Sequence, residues 1–206
     1  MNKLPTIPYA DKIIRSLADS YQDYPYPGGM IKDAERRKNV LPIIWREELK
    51  RIAKVVDITT ESPAAKGVAI WCRLKDLKAT SPVTLSQIIS LFPFRTRLTE
   101  AYRTTLASND IKRNRDALDM PDDTEYLYVL GVAPDAQHQG IGSELVLDRM
   151  KTTDAEGRGM YLETNTEHNV RFYERLGFTV LKEYHNPKTG ITTWFMFHTP
   201  PAENGQ

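Results

Sequence analysis

An apolar run that leads directly into a glycine-containing turn constrains the fold of this chain more than any other feature. Residues 126–132, YLYVLGV, are typical of a buried strand. After a short turn with Pro134, the segment 137–143, QHQGIGS, opens a stretch of helical composition. Because the first N–H groups of a helix have no partner inside it, this arrangement presents several donors to one point. The positive end of the helix favours an anion there, so the pattern predicts a site for a phosphate-bearing ligand.

The glycine spacing separates this turn from two common phosphate loops. The pattern Q-x-x-G-x-G is neither the dinucleotide pattern G-x-G-x-x-G nor a Walker loop, since no Gly-Lys-Ser/Thr occurs in it. Gly140 and Gly142 have no Cβ, so the main chain there can approach an anion closely. The N–H groups from Gln139 to Ser143 are therefore expected to hold a diphosphate. The alternative is an ordinary helix start that uses glycines for turning.

Length and charge limit the classes of function. The 206 residues fit one domain, and 28 basic against 27 acidic side chains leave a net charge of +1. This balance predicts no general attraction to nucleic acid or to a membrane surface. A single cysteine, Cys72, and the lack of an apolar leader or membrane-length run favour a cytoplasmic protein. No cluster of His, Cys and Asp has metal-ligand spacing, so we expect no metal.

The pattern of apolar residues along the chain predicts an α/β fold. Helices are expected at 9–21, 33–54, 98–119, 141–155 and 167–176, with another near 85–91, and strands at 55–60, 68–73, 126–132, 160–164, 179–184 and 191–198. The prolines and glycines of 25–29 are expected to break the chain. Residues 74–120 are interpreted as a variable helical segment and residues 199–206 as a loose tail within a single domain, 1–206.

Several motifs in this order resemble the GNAT superfamily of N-acetyltransferases, and most closely the group of puromycin N-acetyltransferase. The turn at 137–143 is similar to the family's coenzyme A loop. Four further stretches carry the resemblance: Asp23-Tyr24-Pro25, GVAIW at 67–71, Leu162-Glu163-Thr164 and FYERLGFTV at 172–180. The strong part spans about 126–197. It implies a mixed, mostly antiparallel sheet that splays at its two middle strands, 126–132 and 160–164, with helices on both faces.

The resemblance also implies a cosubstrate, acetyl-CoA, and the residues that hold it. Where the two middle strands separate, the amide-bearing pantetheine arm would pair with unpaired main-chain groups. The residues expected to bind the cofactor are Leu130, Gly131, Val132, Gln137, His138, Gln139, Gly140, Ile141, Gly142, Ser143 and Asn169. His138 departs from the glycine that is common at its position, so it must adopt a compatible backbone conformation. Asn169 has an equally plausible role as the N-cap of its helix.

Catalytic candidates follow from the chemistry of acetyl transfer. Tyr173, at a position where the family uses a tyrosine, is expected to donate a proton to the departing thiolate. An ammonium acceptor must also lose a proton, and Glu163 is the expected base. Glu125 and water are the alternatives.

The acceptor pocket is expected to include the aromatic residues Tyr24, Trp71 and Trp194, although a role in the core explains each equally well. The resemblance favours a primary amine of a small molecule as the acceptor. Two alternatives remain open: acetylation of protein lysines or N-termini, and a regulator that binds acyl-CoA without turnover.

Overall fold

The structure, a computed structural model, describes residues 7–78 and 98–202, which form a six-stranded sheet with helices on both faces. The strands are β1 (Asp57–Thr60), β2 (Gly67–Arg73), β3 (Glu125–Val132), β4 (Met160–Thr164), β5 (Thr179–Asn186) and β6 (Ile191–His198). The helices are α1 (Ala10–Ser20), α2 (Pro25–Met30), α3 (Ala34–Ile52), α4 (Leu74–Lys78), α5 (Leu98–Asp116), α6 (Ile141–Ala155) and α7 (Glu167–Arg175), with a 3₁₀ turn at Pro134–Ala136.

The order of the strands places the two middle strands, β3 and β4, side by side. The order is β1-β2-β3-β4-β6-β5. β3 and β4 run parallel, and the other neighbouring pairs run antiparallel. A parallel neighbour requires a crossover connection, which α6 supplies. The expected α/β class with a mixed, mostly antiparallel sheet is confirmed.

Two layers of helices cover the sheet, and the alternation of strand side chains separates them. Ile70 of β2 packs in a cluster with residues of α1 and α3, whereas its neighbour Trp71 packs in a cluster with residues of α6 and α7. We call these two sides the α1/α3 face and the α6/α7 face. Among the described residues, no helix is both long enough and apolar enough to cross a membrane.

Most expected elements are present, with one clear exception. α6 and β4 begin and end at the predicted residues. The predicted break at 25–29 is wrong, because α2 begins at Pro25. At the first position of a helix the N–H that proline lacks would have no partner inside the helix, and the fixed φ of proline suits the first turn. The helix expected near 85–91 lies outside the described residues, as do 203–206 of the expected tail. The single-domain arrangement stays a prediction.

A buried arginine holds the connections between the first three helices. Arg37 of α3 is 9% exposed. Its Nε donates to Gln22 O at 2.8 Å, and its Nη1 donates to Ile31 O at 2.8 Å and to Lys32 O at 3.0 Å. One guanidinium therefore satisfies three main-chain carbonyls on both sides of α2, which fixes the turn between α1 and α2 against α3.

Replacing this guanidinium should destabilise the protein. Arg37→Met leaves three carbonyls without donors, so we expect the free energy of unfolding to fall by about 2–4 kcal/mol. Chemical denaturation monitored by circular dichroism measures the change. Arg46→Met is the matched control on the same helix, since Arg46 forms an exposed pair with Asp11, and such pairs contribute at most about 1 kcal/mol. Equal losses in the two variants would contradict this role for Arg37.

Candidate active site

β3 and β4 pair over a short stretch and then separate. Their last paired residues are Leu127 and Leu162, yet β3 continues to Val132 and β4 to Thr164. We call the opening between residues 128–132 and 163–164 the β3–β4 gap. The predicted splay of the middle strands is therefore present.

The hydrogen-bond phase of β3 decides which main-chain groups face this gap. Ala133 N–H donates to Lys66 O at 2.7 Å, so the main chain of Ala133 is directed at the chain that enters β2. In an antiparallel ladder the groups of successive residues alternate between the two sides of the strand. With the observed register, the N–H and C=O of Leu130 and Val132 point into the gap, whereas those of Gly131 point at β2. Of the three residues expected along the cofactor arm, Leu130 and Val132 thus present main-chain groups to it.

Side chains already satisfy the two carbonyls that face the gap. Tyr21 OH donates to Leu130 O at 3.2 Å, and Gln137 Nε2 donates to Val132 O at 3.1 Å. No side-chain acceptor among residues 7–78 and 98–202 meets the N–H of Leu130 or Val132. The gap is therefore biased toward a ligand that brings carbonyl oxygens, such as an extended chain of amides.

Gly131 has a packing role on the α1/α3 face. A Cβ at this position would lie 2.6 Å from Ser20 Oγ and 2.9 Å from Leu17 Cδ2 of α1. A Cβ at this position would therefore require the Ser20 and Leu17 side chains to shift, whereas glycine lets α1 lie close to β3 without that change. This close approach brings Tyr21, which follows α1, to the gap.

The turn before α6 ends in a helix start with free donors. Gly140, the N-cap, has a φ of 82°, and no side chain caps the helix. The first helical bond runs from Glu144 N to Gly140 O at 3.0 Å, so the N–H groups of Ile141, Gly142 and Ser143 have no helical partner. This half-exposed end of α6 can hold an anion, as the sequence pattern predicts.

His138 adopts the backbone conformation that its position demands. Its φ is 62°, a left-handed value that is uncommon for a residue with a Cβ. The glutamines on either side tie the turn to itself: Gln137 bonds Val132 O, and Gln139 Nε2 donates to Asp135 O at 3.3 Å. The turn thus keeps its shape with a histidine in place of a glycine.

Helix α7 brings Asn169 and Tyr173 to the α6/α7 side of the gap. Thr166 is the N-cap of α7, because its Oγ1 accepts from Asn169 N at 3.1 Å. The alternative role of Asn169 as the N-cap is therefore wrong. The Asn169 side chain is half-buried and lies beside the Tyr24 hydroxyl. It is available to an arm that enters the gap.

Tyr173 has a protonated hydroxyl that forms no hydrogen bond with any described residue. It is 6% exposed and packs edge-to-face with Phe172 and Phe178, with ring centroids 4.9 and 5.7 Å apart. Among the described residues its hydroxyl has no hydrogen-bond partner. Burial, and then the nearby phenols of Tyr21 and Tyr24, raise the pKa of Tyr173 well above its usual value. The group therefore keeps its proton at neutral pH and can donate it.

Glu163 lies on the α1/α3 face of β4 and is already hydrogen-bonded. Its carboxylate accepts from Tyr161 OH at 2.7 Å, Tyr126 OH at 3.0 Å and Arg115 Nη1 at 3.2 Å. The side chain is 13% exposed. It therefore stands beside the gap with two donors on Oε1 and one on Oε2, which leaves a lone pair of Oε2 that can accept a proton from an ammonium group.

Glu125 is wrong as the alternative base. It is 1% exposed at the start of β3, before the strands separate. Its carboxylate pairs with Arg149 and with Arg158, the latter at 2.6 Å. These contacts bind the start of β3 to α6 and to the turn after it, so Glu125 is a structural residue.

The three aromatic residues expected in the acceptor pocket lie in different places. Tyr24 reaches the end of the gap, where its hydroxyl meets Thr164 Oγ1 at 2.9 Å and accepts from Asn165 N at 2.8 Å. Trp71 is fully buried on the α6/α7 face and donates to Thr59 Oγ1 at 3.0 Å. Its expected place in the acceptor pocket is therefore wrong. Trp194 is half-buried beside the same cluster and donates to Glu183 Oε2 at 3.0 Å.

A β-bulge in β3 turns a tyrosine toward a second carboxylate on the α1/α3 side. The register of β3 against β2 shifts so that Tyr128 has no partner, and both Tyr128 and Val129 turn to the same face. The Tyr128 hydroxyl bonds Glu48 of α3, which also pairs with Arg51. Sequence patterns gave no signal for the contacts of Tyr21 with Leu130 and of Tyr128 with Glu48, because these partners lie 109 and 80 positions apart along the chain.

Comparisons with known proteins agree with this geometry. Residues 111–180, about a third of the chain, match the family model of the acetyltransferase (GNAT) domain. A protein of Corynebacterium glutamicum described as histone acetyltransferase HPA2 and related acetyltransferase has the same fold, with 19% identity, a TM-score of 0.66 and coverage of 98% of this chain and 97% of that chain. Arylalkylamine N-acetyltransferase 2 of Aedes aegypti is 14% identical, with a TM-score of 0.60 and coverage of 96% of this chain and 97% of that chain. PaiA N-acetyltransferase of Thermoplasma acidophilum, solved with coenzyme A, is 12% identical, with a TM-score of 0.53 and coverage of 96% of each chain.

These matches describe the fold of the chain. The fold of GNAT acetyltransferases extends over nearly the whole chain, and the match to the family's domain lies in residues 111–180, which contain β3, the glycine turn, α6, β4 and α7. The gap and the uncapped start of α6 lie in this part of the chain.

The left-handed conformation of Gly140 gives a prediction about the turn. In Gly140→Ala the added Cβ meets open space but must keep a φ of 82°, so we expect a loss of about 1–2 kcal/mol in the free energy of unfolding. Gly28→Ala is the control, because Gly28 lies in α2 with open space and no positive φ; it should be neutral or slightly stabilising. Thermal unfolding of the two variants measures the difference. A loss in both would point to a general effect of the added methyl group.

Proposed function

We propose that this protein is an acetyl-CoA-dependent N-acetyltransferase that transfers the acetyl group directly to a primary amine of a small molecule. One observation carries the proposal. The N–H groups of Leu130 and Val132 face the β3–β4 gap, and the free N–H groups at the start of α6 lie just beyond the end of the same strand. A ligand with amide carbonyls at one end and a diphosphate at the other matches both sets of donors.

Acetyl-CoA supplies an activated thioester from which an amine can take the acetyl group. The start of α6 and the glycine turn would hold its diphosphate, and the N–H groups of the gap would orient its arm. The N–H of Leu130 is suited to polarise the thioester carbonyl, since a fixed donor in a dry site stabilises developing negative charge.

Tyr173 would supply the proton that the departing sulfur needs. Its phenol remains protonated and lacks a partner among the described residues. It lies on the α6/α7 face, whereas Glu163 lies on the α1/α3 face of the same gap. Acid and candidate base therefore approach the gap from opposite sides, which matches a direct transfer between two bound molecules. Glu163, or a water beside it, would accept the proton of the amine.

The α1/α3 side of the gap favours a small acceptor. The turn between α1 and α2 places the half-buried Tyr21 and Tyr24 beside the gap, and the Tyr128 hydroxyl lies on the same side with Glu48 of α3. Helices packed beside the gap suit a compact amine with an aromatic or apolar body better than an extended peptide. The likeness to the puromycin N-acetyltransferase group and the expectation of a cytoplasmic protein, both drawn from the sequence, are consistent with this proposal.

The direct test is incubation with acetyl-CoA and a library of amines, with lysine-containing and free N-terminal peptides as a second arm. Mass spectrometry of the products should detect acetylated small amines, with release of one thiol for each acetyl group. Acetylated peptides alone would replace the small-molecule acceptor with a protein acceptor. Binding of acetyl-CoA without any transfer would favour a regulator, and calorimetry that detects no binding would overturn the whole proposal.

Tyr173→Phe tests the role of the phenol as an acid. Without its proton we expect kcat to fall about 100-fold, while coenzyme A binding persists because the ring still packs. Tyr184→Phe is the matched control, since it also loses one hydroxyl, which bonds Asp110 at 3.4 Å away from the gap. Steady-state kinetics and calorimetry measure both quantities. Unchanged kcat in Tyr173→Phe would remove the acid role.

A further inference from the structure

Two tyrosines stand at the two ends of the short turn between α1 and α2. Tyr21 follows the last residue of α1, and Tyr24 precedes the first residue of α2. Tyr24 N–H donates to Tyr21 O at 3.2 Å. Their rings meet edge-to-face with centroids 5.1 Å apart, an arrangement that is favourable beyond the area it buries. The pair therefore behaves as one packed unit.

Each hydroxyl of this pair bonds a different strand of the gap. Tyr21 OH donates to Leu130 O of β3, and Tyr24 OH meets Thr164 Oγ1 of β4 and accepts from Asn165 N just after it. These contacts occur where β3 and β4 no longer pair with each other. The turn thus connects the ends of β3 and β4, which form no hydrogen bonds directly with each other there.

The turn itself has little freedom. Arg37 donates to Gln22 O inside the turn and to Ile31 O beyond α2, and it is nearly buried. Tyr21 also packs edge-to-face on Trp45 of α3, with centroids 5.3 Å apart. Because the turn is anchored to α3 in this way, it can hold β3 and β4 at a fixed distance from each other.

We propose that Tyr21 and Tyr24 form a clip that sets the width of the β3–β4 gap and so positions the strands for the cofactor arm. The inference rests on the proposed function, because it assigns the clip to the coenzyme A site. Tyr21 and Tyr24 are positioning residues. They act through Leu130 and through Thr164 with Asn165, respectively. Fixing the gap before the ligand arrives reduces the ordering that binding must impose.

The first measurement concerns the free protein and needs no ligand. Amide hydrogen exchange, followed by NMR, reports the opening of individual N–H groups. In Tyr24→Phe the N–H of Asn165 loses its acceptor, so we expect its exchange to accelerate about fivefold or more. Tyr21→Phe should accelerate exchange at Val129 and Gly131, whose N–H groups bond β2 on either side of Leu130, because β3 loses its tie to the turn. Tyr184→Phe, which removes a hydroxyl away from the gap, should leave these amides unchanged.

The second measurement is calorimetric titration of coenzyme A into the same variants. We expect each single variant to bind about three to ten times more weakly, the range for loss of one neutral hydrogen bond. The double variant should bind more tightly than the product of the two single effects predicts, because either change alone already frees the gap. Thr164→Val removes the other end of one clip bond without touching Tyr24, and it should weaken binding in the same direction.

The two measurements separate the failure of the clip from the failure of the proposed function. Unchanged exchange at Asn165 in Tyr24→Phe, and at Val129 and Gly131 in Tyr21→Phe, would overturn the clip whatever the protein binds. Normal coenzyme A affinity in the double variant would do the same. A wild-type protein that does not bind coenzyme A, but whose exchange responds as expected, would overturn the function and leave the clip as a structural feature of the gap.

Discussion

The end of pairing between β3 and β4, at Leu127 and Leu162, is the constraint on which the rest of the structure depends. Beyond it, buried main-chain groups need partners that a neighbouring strand does not supply. Tyr21, Gln137 and Tyr24 satisfy several of them with side chains, and the N–H groups of the gap remain for a ligand. The helices before the sheet are therefore part of the site, since two of these three side chains come from the turn between α1 and α2.

The two faces of the sheet divide the chemistry that we propose. The α6/α7 face carries the uncapped helix start and a phenol that holds its proton. The α1/α3 face carries two carboxylates, Glu48 and Glu163, each paired with an arginine and with at least one tyrosine hydroxyl. Because each carboxylate has a positive partner, this side is polar without a strong net charge. Such a surface suits recognition of a polar amine by shape and hydrogen bonding more than by attraction alone.

The sequence allowed the C-terminal half to be predicted closely, because its signals are local. The periodicity of α6, the apolar run of β3 and the glycines between them each act over a few residues, and the splay followed from the family resemblance. Tyr21 could not be identified, since its partner Leu130 lies 109 positions away. The error over Trp71 has a related cause: an unbroken apolar strand such as β2 does not reveal which of its residues faces which layer. α2 was missed because proline and glycine usually mark turns, and here they begin a helix.

The bulge at Tyr128 bears on how this strand can change in evolution. It puts the two halves of β3 out of step, and a slip of the 129–132 half by one position would turn Leu130 and Val132 toward β2. That slip would also push a side chain into the space that Gly131 leaves for α1, where a single Cβ already collides with Ser20 and Leu17. The close packing of α1 thus disfavours a shifted register of β3. We therefore expect β3 to accept many changes of residue but very few insertions or deletions.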